Sequence, residues 1–279
     1  MKRTLLLILA LALNLSAWAY TREIVAVHSN AMGKDVMAAV VLPENYHQMK
    51  DLPTEYLMHG CGDNFHAWHN NAGASELADQ YGVIIVMPDG GHHSWYWDSP
   101  INPKHKYETF VAGEVVSYID SHYKTIADRS GRAIMGLSMG GHGALYLAFR
   151  HQDVFGAAGS TSGGVDIRPF PKNWGMSKWI GTIDENPENW EKYTVTNMVD
   201  LLKPNHLKII IDCGTEDFFY KVNCQLHDKL LAAKIPHDFI ARPGAHNWPY
   251  WRNSVKFQVL FFSNFFEAEA AKKAAAEKK

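Results

Sequence analysis

The stretch Gly136-Leu137-Ser138-Met139-Gly140 places a serine between two glycines, at the junction of two differently patterned segments. The preceding run, Arg132-Ala133-Ile134-Met135, is short and mostly apolar and predicts a buried strand, while residues 142–150 predict a helix. Glycines on both sides let such a strand and helix approach closely, and the serine between them occupies a strained turn. Its hydroxyl is then exposed near a helix N-terminus, whose N–H groups stabilise a developing oxyanion. Ser138 is therefore predicted to be a nucleophile.

The motif is weak evidence when it stands alone, because about one chain in ten of this length contains it by chance. A serine hydroxyl is also a poor nucleophile at neutral pH. It needs a histidine to accept its proton and an acid to fix the tautomer of that histidine. In triads built on this type of turn, the acid and then the histidine follow the serine along the chain.

Asp217 is the predicted acid. It follows the predicted strand 208–213, in Gly214-Thr215-Glu216-Asp217-Phe218. An acid just beyond the C-terminal end of a parallel strand lies at the ligand-binding edge of an open α/β sheet. Glu216, one residue earlier, and Asp212, within the strand, are the alternatives.

His246 is the predicted base among the fifteen histidines of the chain. It lies in the turn that directly follows the last predicted strand, residues 237–242, and it therefore falls at the same edge of the sheet as the acid. His237 begins that strand, at the opposite edge, and is the weaker candidate.

Two backbone amides are predicted to form an oxyanion hole. One belongs to Met139, the residue after the nucleophile. The other belongs to Cys61, in the loop His59-Gly60-Cys61-Gly62-Asp63 that follows a predicted strand. On this interpretation Cys61 contributes its backbone and not its thiol. The alternative is that His59-Gly60 forms only a tight turn.

An aromatic loop, residues 89–104, follows another predicted strand and lies at the same edge. Its Trp95 and Tyr96 are predicted to contact the substrate, as is His59. The alternative is a surface loop that packs on itself.

The order of predicted elements favours an α/β fold, because alternating strands and helices form a mainly parallel sheet covered on both faces. An opening hairpin makes its N-terminal edge antiparallel. We expect a single domain over residues 20–279, with 163–204 as a lid or insertion and 267–279 as a frayed tail. The predicted strands are 23–27, 35–43, 56–58, 83–88, 132–135, 155–160, 208–213 and 237–242. The predicted helices are 68–81, 107–123, 142–150, 221–234 and one from 251.

The first 19 residues have the pattern of a signal peptide. Lys2 and Arg3 precede an apolar run, and Ala17-Trp18-Ala19 is typical of a cleavage site. We expect export to the periplasm or the medium, with a mature chain that begins near Tyr20 and does not insert stably into a membrane. The alternative is a membrane anchor, for which the apolar run is short.

Composition excludes few functions. The 279 residues are 47% hydrophobic and 20% charged, and a net charge of −2 does not favour nucleic acid as a partner. The three cysteines, Cys61, Cys213 and Cys224, fit no common metal spacing. Three free thiols are expected, with a Cys213–Cys224 bridge as the alternative.

At this point the chain resembles the esterase family of α/β-hydrolases that includes esterase D and S-formylglutathione hydrolase, most closely the tributyrin and acetyl esterase branch. The resemblance covers about residues 21–265. It implies Ser138, Asp217 and His246 as the triad and the amides of Cys61 and Met139 as the oxyanion hole. The stretches that carry it are Tyr56-Leu57-Met58-His59-Gly60, Ser94-Trp95-Tyr96, Asp98-Ser99-Pro100, Tyr107-Glu108-Thr109, residues 132–144, residues 212–217 and Gly244-Ala245-His246-Asn247-Trp248.

Together these observations predict an exported serine carboxylesterase that hydrolyses short-chain acyl esters through an acyl-enzyme, without a metal or cofactor. The expected substrate is a small acyl ester or an acylated carbohydrate. The resembling family also contains feruloyl and acetyl-xylan esterases and mycolyltransferases, so an esterase of plant polysaccharide and an acyltransferase are alternatives. A carbohydrate-binding protein on a hydrolase scaffold is the non-enzymatic alternative.

Overall fold

The structure, a computed structural model, describes residues 20–278. Its centre is an eight-stranded sheet in the order β1-β2-β4-β3-β5-β6-β7-β8. The two pairings of β2, with β1 and with β4, are antiparallel, and the other pairings are parallel. This confirms the predicted mainly parallel sheet with an antiparallel N-terminal edge. The strands are β1 (Thr21–Ser29), β2 (Lys34–Leu42), β3 (Thr54–Met58), β4 (Ile84–Pro88), β5 (Arg132–Leu137), β6 (Ala157–Thr161), β7 (Lys208–Gly214) and β8 (Asp238–Arg242).

Helices connect the strands and cover both faces of the sheet. They are α1 (Ala67–Ala72), α2 (Glu76–Tyr81), α3 (Tyr107–Thr109), α4 (Val116–His122), α5 (Met139–Arg150), α6 (Ser177–Ile180), α7 (Pro187–Lys192), α8 (Tyr220–Ala232) and α9 (Trp248–Ala276), and a π-helical turn (Phe110–Val115) joins α3 to α4.

The helix predicted over 68–81 is two helices in the structure. Gly73 ends α1 with a φ of 59° and donates its N–H to the carbonyl of Trp68. A left-handed residue of this kind is the usual end of a helix, and glycine adopts it without steric cost. The apolar spacing therefore indicated the buried face correctly but not the break.

The core has two layers, one on each face of the sheet. Alternation along β3 shows the division, since Tyr56 and Met58 belong to one layer and Leu57 to the other. The first layer includes side chains of α5 and α8, and the second includes those of α1, α2 and α9. Each fully buried apolar side chain of this size contributes about 1.5–3 kcal/mol, so both layers are needed for stability.

Segment 163–204, which the sequence predicts as a lid or insertion, packs on the first layer. Trp190 is buried and donates its indole N–H to the carbonyl of Gly181. Tyr193 donates its hydroxyl hydrogen to the carbonyl of Asp98 in the aromatic loop, at 2.7 Å. The segment is thus attached to the rest of the domain by buried side chains and by specific hydrogen bonds.

The C-terminal end differs from the expected frayed tail, because α9 stays helical to Ala276, although its side chains are mostly exposed after Phe266. None of the described helices has the length and apolarity needed to cross a membrane. The predicted signal peptide lies outside the described residues. Cys61, Cys213 and Cys224 carry free thiols, and of these Cys213 is buried.

Candidate active site

Ser138 occupies the sharp turn between β5 and α5. Its backbone has a φ of 55° and a ψ of −117°. A non-glycine residue with positive φ is strained, and the surrounding structure must hold it there. The N–H of Ser138 donates to the carbonyl of Thr161 at 3.1 Å, and its carbonyl accepts from His142 N at 3.0 Å and Gly164 N at 3.3 Å. These bonds hold the serine in the turn.

Close approach of the helix to the sheet explains the glycine at position 140. A Cβ atom on Gly140 would lie 2.3 Å from the carbonyl oxygen of Met58 in β3. That contact is with backbone, so no side-chain rotation relieves it. The N-terminus of α5, which follows Ser138, is therefore in close contact with the ends of β3 and β5.

His246 lies beside the serine hydroxyl. Its Nε2 is 2.9 Å from Ser138 Oγ, and its Nδ1 is 2.8 Å from Asp217 Oδ2 and 3.0 Å from Oδ1. An ionised carboxylate only accepts hydrogen bonds, so Nδ1 carries the hydrogen and Nε2 is the acceptor for the serine. The structure thus brings Ser138, His246 and Asp217 into one hydrogen-bonded chain.

Asp217 is held for this contact by its own loop. Its side chain is fully buried, and Oδ1 also accepts the N–H of Phe219 at 2.8 Å. The alternative acids are placed elsewhere, since Glu216 is exposed and Asp212 is paired with Arg242 and Tyr250.

The alternative base, His237, is also directed away from the serine. Its Nε2 lies 2.8 Å from Nδ1 of His227, and its Nδ1 lies 2.8 Å from the carbonyl of Ile235. It therefore belongs to a separate histidine pair between α8 and the start of β8.

The amides of Cys61 and Met139 have no hydrogen-bond acceptor among residues 20–278. A Cβ atom on Gly60 would lie 3.5 Å from Ser138 Cβ, which places the Cys61 loop directly against Ser138. Burial, followed by the nearby charge of Asp63, raises the pKa of the Cys61 thiol to about 12. The thiol is therefore protonated at neutral pH and is a poor nucleophile.

His59 positions the Cys61 amide. Its Nδ1 donates to the carbonyl of Gly60 at 2.8 Å, and its Nε2 accepts the N–H of Gly90 at 2.8 Å. The Gly60 carbonyl and the Cys61 N–H belong to one planar trans peptide and point in opposite directions. Fixing the carbonyl on the histidine therefore fixes the direction of the N–H.

The three predicted substrate contacts are buried. His59 and Trp95 are each 1% exposed and Tyr96 is 0% exposed. Tyr96 donates its hydroxyl hydrogen to the carbonyl of His59 at 3.0 Å, and Trp95 stacks on Trp97 with ring centroids 5.6 Å apart. None of the three offers side-chain surface to a ligand, so we assign them a supporting role beneath the site and correct the expected contact.

The aromatic surface next to His246 comes from residues that the sequence analysis did not select. Phe218 is 51% exposed, and its ring centroid lies 4.2 Å from that of His246. Trp174, from segment 163–204, stacks on Phe218 at 6.0 Å. Phe218 directly follows Asp217, and an apolar residue beside a predicted catalytic acid was the available signal. No such signal marks Trp174, which is 43 positions away in sequence from Asp217.

A family model described as Putative esterase matches residues 29–262. This chain belongs to that family. The match includes every residue of the hydrogen-bonded chain and of the oxyanion loop described above. The esterase-family resemblance seen in the sequence is thereby confirmed.

Curated proteins that are similar in sequence to this chain include one named as an esterase and one named as an acyltransferase. An esterase of Mycobacterium tuberculosis (strain ATCC 25618 / H37Rv) is 30% identical over 247 residues, which cover 78% of this chain and 54% of that protein. This chain therefore spans about half the length of that relative. The diacylglycerol acyltransferase/mycolyltransferase Ag85A of Mycobacterium leprae (strain TN) is 37% identical over 270 residues, which cover 82% of this chain and 78% of the relative.

Solved structures agree with the fold. A ferulic acid esterase aligns with a TM-score of 0.76 at 27% identity, over 89% of this chain and 99% of the other. A fluorophosphonate-binding serine hydrolase of Staphylococcus aureus, FphF, aligns with a TM-score of 0.77 at 23% identity, over 88% and 98% of the two chains. At that identity the second likeness shows the fold alone.

Proposed function

We propose that this chain is an exported serine carboxylesterase that hydrolyses short-chain acyl esters. The observation that carries the proposal is the hydrogen-bonded chain Ser138–His246–Asp217, with 2.9 Å between the serine and the histidine and 2.8 Å between the histidine and the acid. Membership of the Putative esterase family supports the reaction class. Export rests on the sequence pattern of residues 1–19, and N-terminal sequencing of the secreted protein tests it.

In the proposed reaction Ser138 Oγ attacks the ester carbonyl carbon while Nε2 of His246 takes the hydroxyl proton. Asp217 stabilises the imidazolium that forms. The amides of Cys61 and Met139 donate to the oxyanion. His246 then passes its proton to the departing alcohol, which leaves an acyl group on the serine. His246 takes a proton from water, whose oxygen attacks the acyl carbon. The bond to Ser138 Oγ then breaks, the imidazolium returns its proton to Oγ, and the acid leaves.

The aromatic surface of Trp174 and Phe218 favours one alternative substrate. An exposed phenyl ring 4.2 Å from the ring of the catalytic histidine suits stacking on an aromatic acyl group. The structural likeness to a ferulic acid esterase points the same way. A feruloyl or acetyl-xylan esterase of plant polysaccharide is therefore the second candidate.

Acyl transfer is the third candidate, because several relatives are named acyltransferases. It differs from hydrolysis only in the group that attacks the acyl-enzyme. Adding an alcohol acceptor and measuring the ratio of new ester to free acid separates the two reactions.

The test of the triad is ester hydrolysis by the mature protein and its variants, on p-nitrophenyl acetate, butyrate and octanoate, methyl ferulate and acetylated xylan. We expect Ser138→Ala and His246→Ala to lose about 10⁶-fold in kcat, and Asp217→Asn to lose about 10⁴-fold, because the acid only orients and stabilises the base. The preferred ester identifies the substrate class.

His237→Ala is the matched control, since His237 is a hydrogen-bonded histidine that does not contact the serine. It should retain turnover close to that of the unaltered protein. Near-normal rates in a folded His246→Ala variant would contradict the assignment.

A further inference from the structure

A cavity lies beside the candidate active site. It has a volume of about 280 Å³ and is formed by the start of β2, by the aromatic loop and by segment 163–204. This is just below the range of about 300–1,000 Å³ for small-ligand sites. The cavity therefore fits a group of the size of one sugar residue.

The lining of this cavity is strongly basic. No aspartate or glutamate lines it. Its basic side chains are three lysines and three histidines, namely Lys34, Lys104, Lys178, His92, His93 and His105. The lysine ion pairs among residues 20–278 are Lys106–Asp98 and Lys272–Glu269, so none involves a lysine of the cavity. None of the three ammonium groups that line this concave site thus has a carboxylate ion-pair partner within residues 20–278.

The two carboxylates of the aromatic loop form no ion pair with the lysines of the cavity. Asp98 accepts from the N–H and the hydroxyl of Thr109, at 3.0 and 2.6 Å. Asp89 accepts the N–H of Gly91 at 2.7 Å and lies 3.9 Å from His59. Burial, and after it the charges of His92 and Lys178, lower the pKa of His93, as expected where positive groups crowd together.

The cavity also has a rigid aromatic wall. Trp179 stacks on His105 with ring centroids 3.8 Å apart and planes 12° apart, and its indole N–H donates to the carbonyl of His93 at 2.7 Å. Lys34 donates to the hydroxyl of Tyr107 at 3.2 Å. Flat rings beside ammonium groups suit a ring that carries a negative charge.

Two connections join the cavity to the candidate active site. The carbonyl of His92 accepts the N–H of Gly62 at 2.9 Å, which links the cavity wall to the oxyanion loop. On the other side Gly175 lines the cavity, and its neighbour Trp174 stacks on Phe218 beside the catalytic histidine. The walls of the cavity are therefore in direct contact with both sides of the candidate active site.

From this arrangement we infer that the cavity binds an anionic group, a carboxylate or a phosphate, that the ester substrate carries away from its ester bond. An acylated uronic acid is the substrate class that fits the size, the aromatic wall and the charge together. The link to a substrate rests on the proposed esterase function, whereas the binding of an anion does not.

Binding is measured first, without catalysis. Calorimetry on the Ser138→Ala protein uses glucuronate, inorganic phosphate and the neutral methyl ester of glucuronate. We expect an anion to bind and the neutral ester to bind more weakly, and the stronger of the two anions identifies the charged group. Equal binding of glucuronate and its methyl ester, or no binding of either anion, would overturn the inference.

Variants then locate the site. Lys104→Gln/Lys178→Gln should weaken anion binding about tenfold, since each ion pair at an exposed site contributes up to about fivefold. Lys172→Gln/Lys203→Gln removes the same charge from exposed lysines outside the cavity, and it should leave binding unchanged. An equal loss of anion binding in both double variants would show a non-specific charge effect and would overturn the assignment of the anion site to the cavity.

Kinetics connect the cavity to the substrate. In the otherwise unaltered protein, kcat/KM for acetylated glucuronic acid should exceed that for its methyl ester, and Lys104→Gln/Lys178→Gln should reduce this ratio about tenfold. Turnover of both esters at equal rates would overturn the inference and leave the esterase proposal standing. Absence of turnover on every ester, with anion binding intact, would overturn the esterase proposal and its substrate link but not the anion site.

Discussion

His142 lies one turn after Ser138 in α5 and shows how a single buried side chain supports the turn. Its Nε2 accepts the indole N–H of Trp97 at 2.8 Å, and its Nδ1 donates to the carbonyl of Gly164 at 2.9 Å. Gly164 in turn donates its N–H to the carbonyl of Ser138. The imidazole is fully buried, and burial lowers its pKa to about 4. It is therefore a neutral positioning group that joins α5 to the aromatic loop and to segment 163–204.

This burial predicts a pH dependence of stability. In the unfolded chain His142 takes up a proton below its ordinary pKa of 6.5. In the folded chain it takes up a proton only near its lowered pKa of about 4. Protonation therefore favours unfolding, and the contribution of this residue is lost as the pH falls from 6.5 to 4. We expect a slope of about 1.4 kcal/mol per pH unit and roughly 3 kcal/mol over the whole interval.

Urea denaturation between pH 4 and 7 measures this slope. His142→Gln should be less stable at pH 7 but should have a shallower slope, because glutamine does not titrate. His122→Gln, at an exposed histidine, should retain the slope of the unaltered protein. A slope of equal size in His142→Gln would assign the pH dependence to other groups.

At the scale of elements, the contact between α5 and the ends of β3 and β5 decides the geometry of the turn. Gly140 is the point of closest approach, 2.3 Å between a hypothetical Cβ and the carbonyl oxygen of Met58. Gly113, in the π-helical turn, is the opposite case, since a Cβ atom there would meet nothing within 4 Å. Glycine is therefore required for steric reasons at position 140, whereas at position 113 there is room for a larger side chain.

Alanine substitution at these glycines tests the contact. Gly140→Ala should lower the free energy of unfolding by about 3 kcal/mol or more, because the backbone must move to accept the methyl group. Gly113→Ala should leave it unchanged or raise it by up to about 1 kcal/mol, since alanine is the better helix former. Thermal unfolding of both variants measures the difference. Equal stabilities would show that α5 tolerates a larger separation from the sheet.

At the scale of the whole molecule, α9 closes the second layer of the core. Its buried side chains extend from Tyr250 to Phe266, and beyond them the helix is largely exposed as far as Ala276. The stabilising part of this 29-residue helix is therefore its first two-thirds, although the secondary structure is continuous.

Two truncations test this division. Ending the chain after Glu267 removes exposed side chains and should cost less than about 1 kcal/mol. Ending it after Gln258 also removes the buried Val259, Phe262, Phe265 and Phe266. At about 1.5–3 kcal/mol each, their loss approaches the whole stability of a typical domain, about 5–15 kcal/mol, and should leave it unfolded.

Circular dichroism and resistance to protease measure both truncated chains. If the chain that ends at Gln258 stays folded, α1 and α2 cover this face of the sheet without the rest of α9. If the chain that ends at Glu267 is unfolded, the exposed end of α9 stabilises the domain.

The fold could be predicted from the sequence because its signals are local. A short apolar run, a glycine-flanked serine and a helical pattern place β5, Ser138 and α5 in order, and the structure confirms the sheet that contains them. The order of the acid and the base along the chain can likewise be predicted from the positions of strand ends and turns alone. The catalytic roles of Asp217 and His246 stay predictions that the test of hydrolysis addresses.

Other features depend on packing between segments that are distant in sequence. The position of the aromatic loop at the ligand-binding edge of the sheet predicts Trp95 and Tyr96 as ligand contacts, but the loop folds inward and buries them. Phe218 and Trp174 meet beside His246 only after segment 163–204 packs on the domain. The basic cavity combines three separate segments. Local pattern therefore determined the sheet and the order of the predicted site residues, and tertiary packing decided which aromatic side chains are buried and which are exposed beside His246.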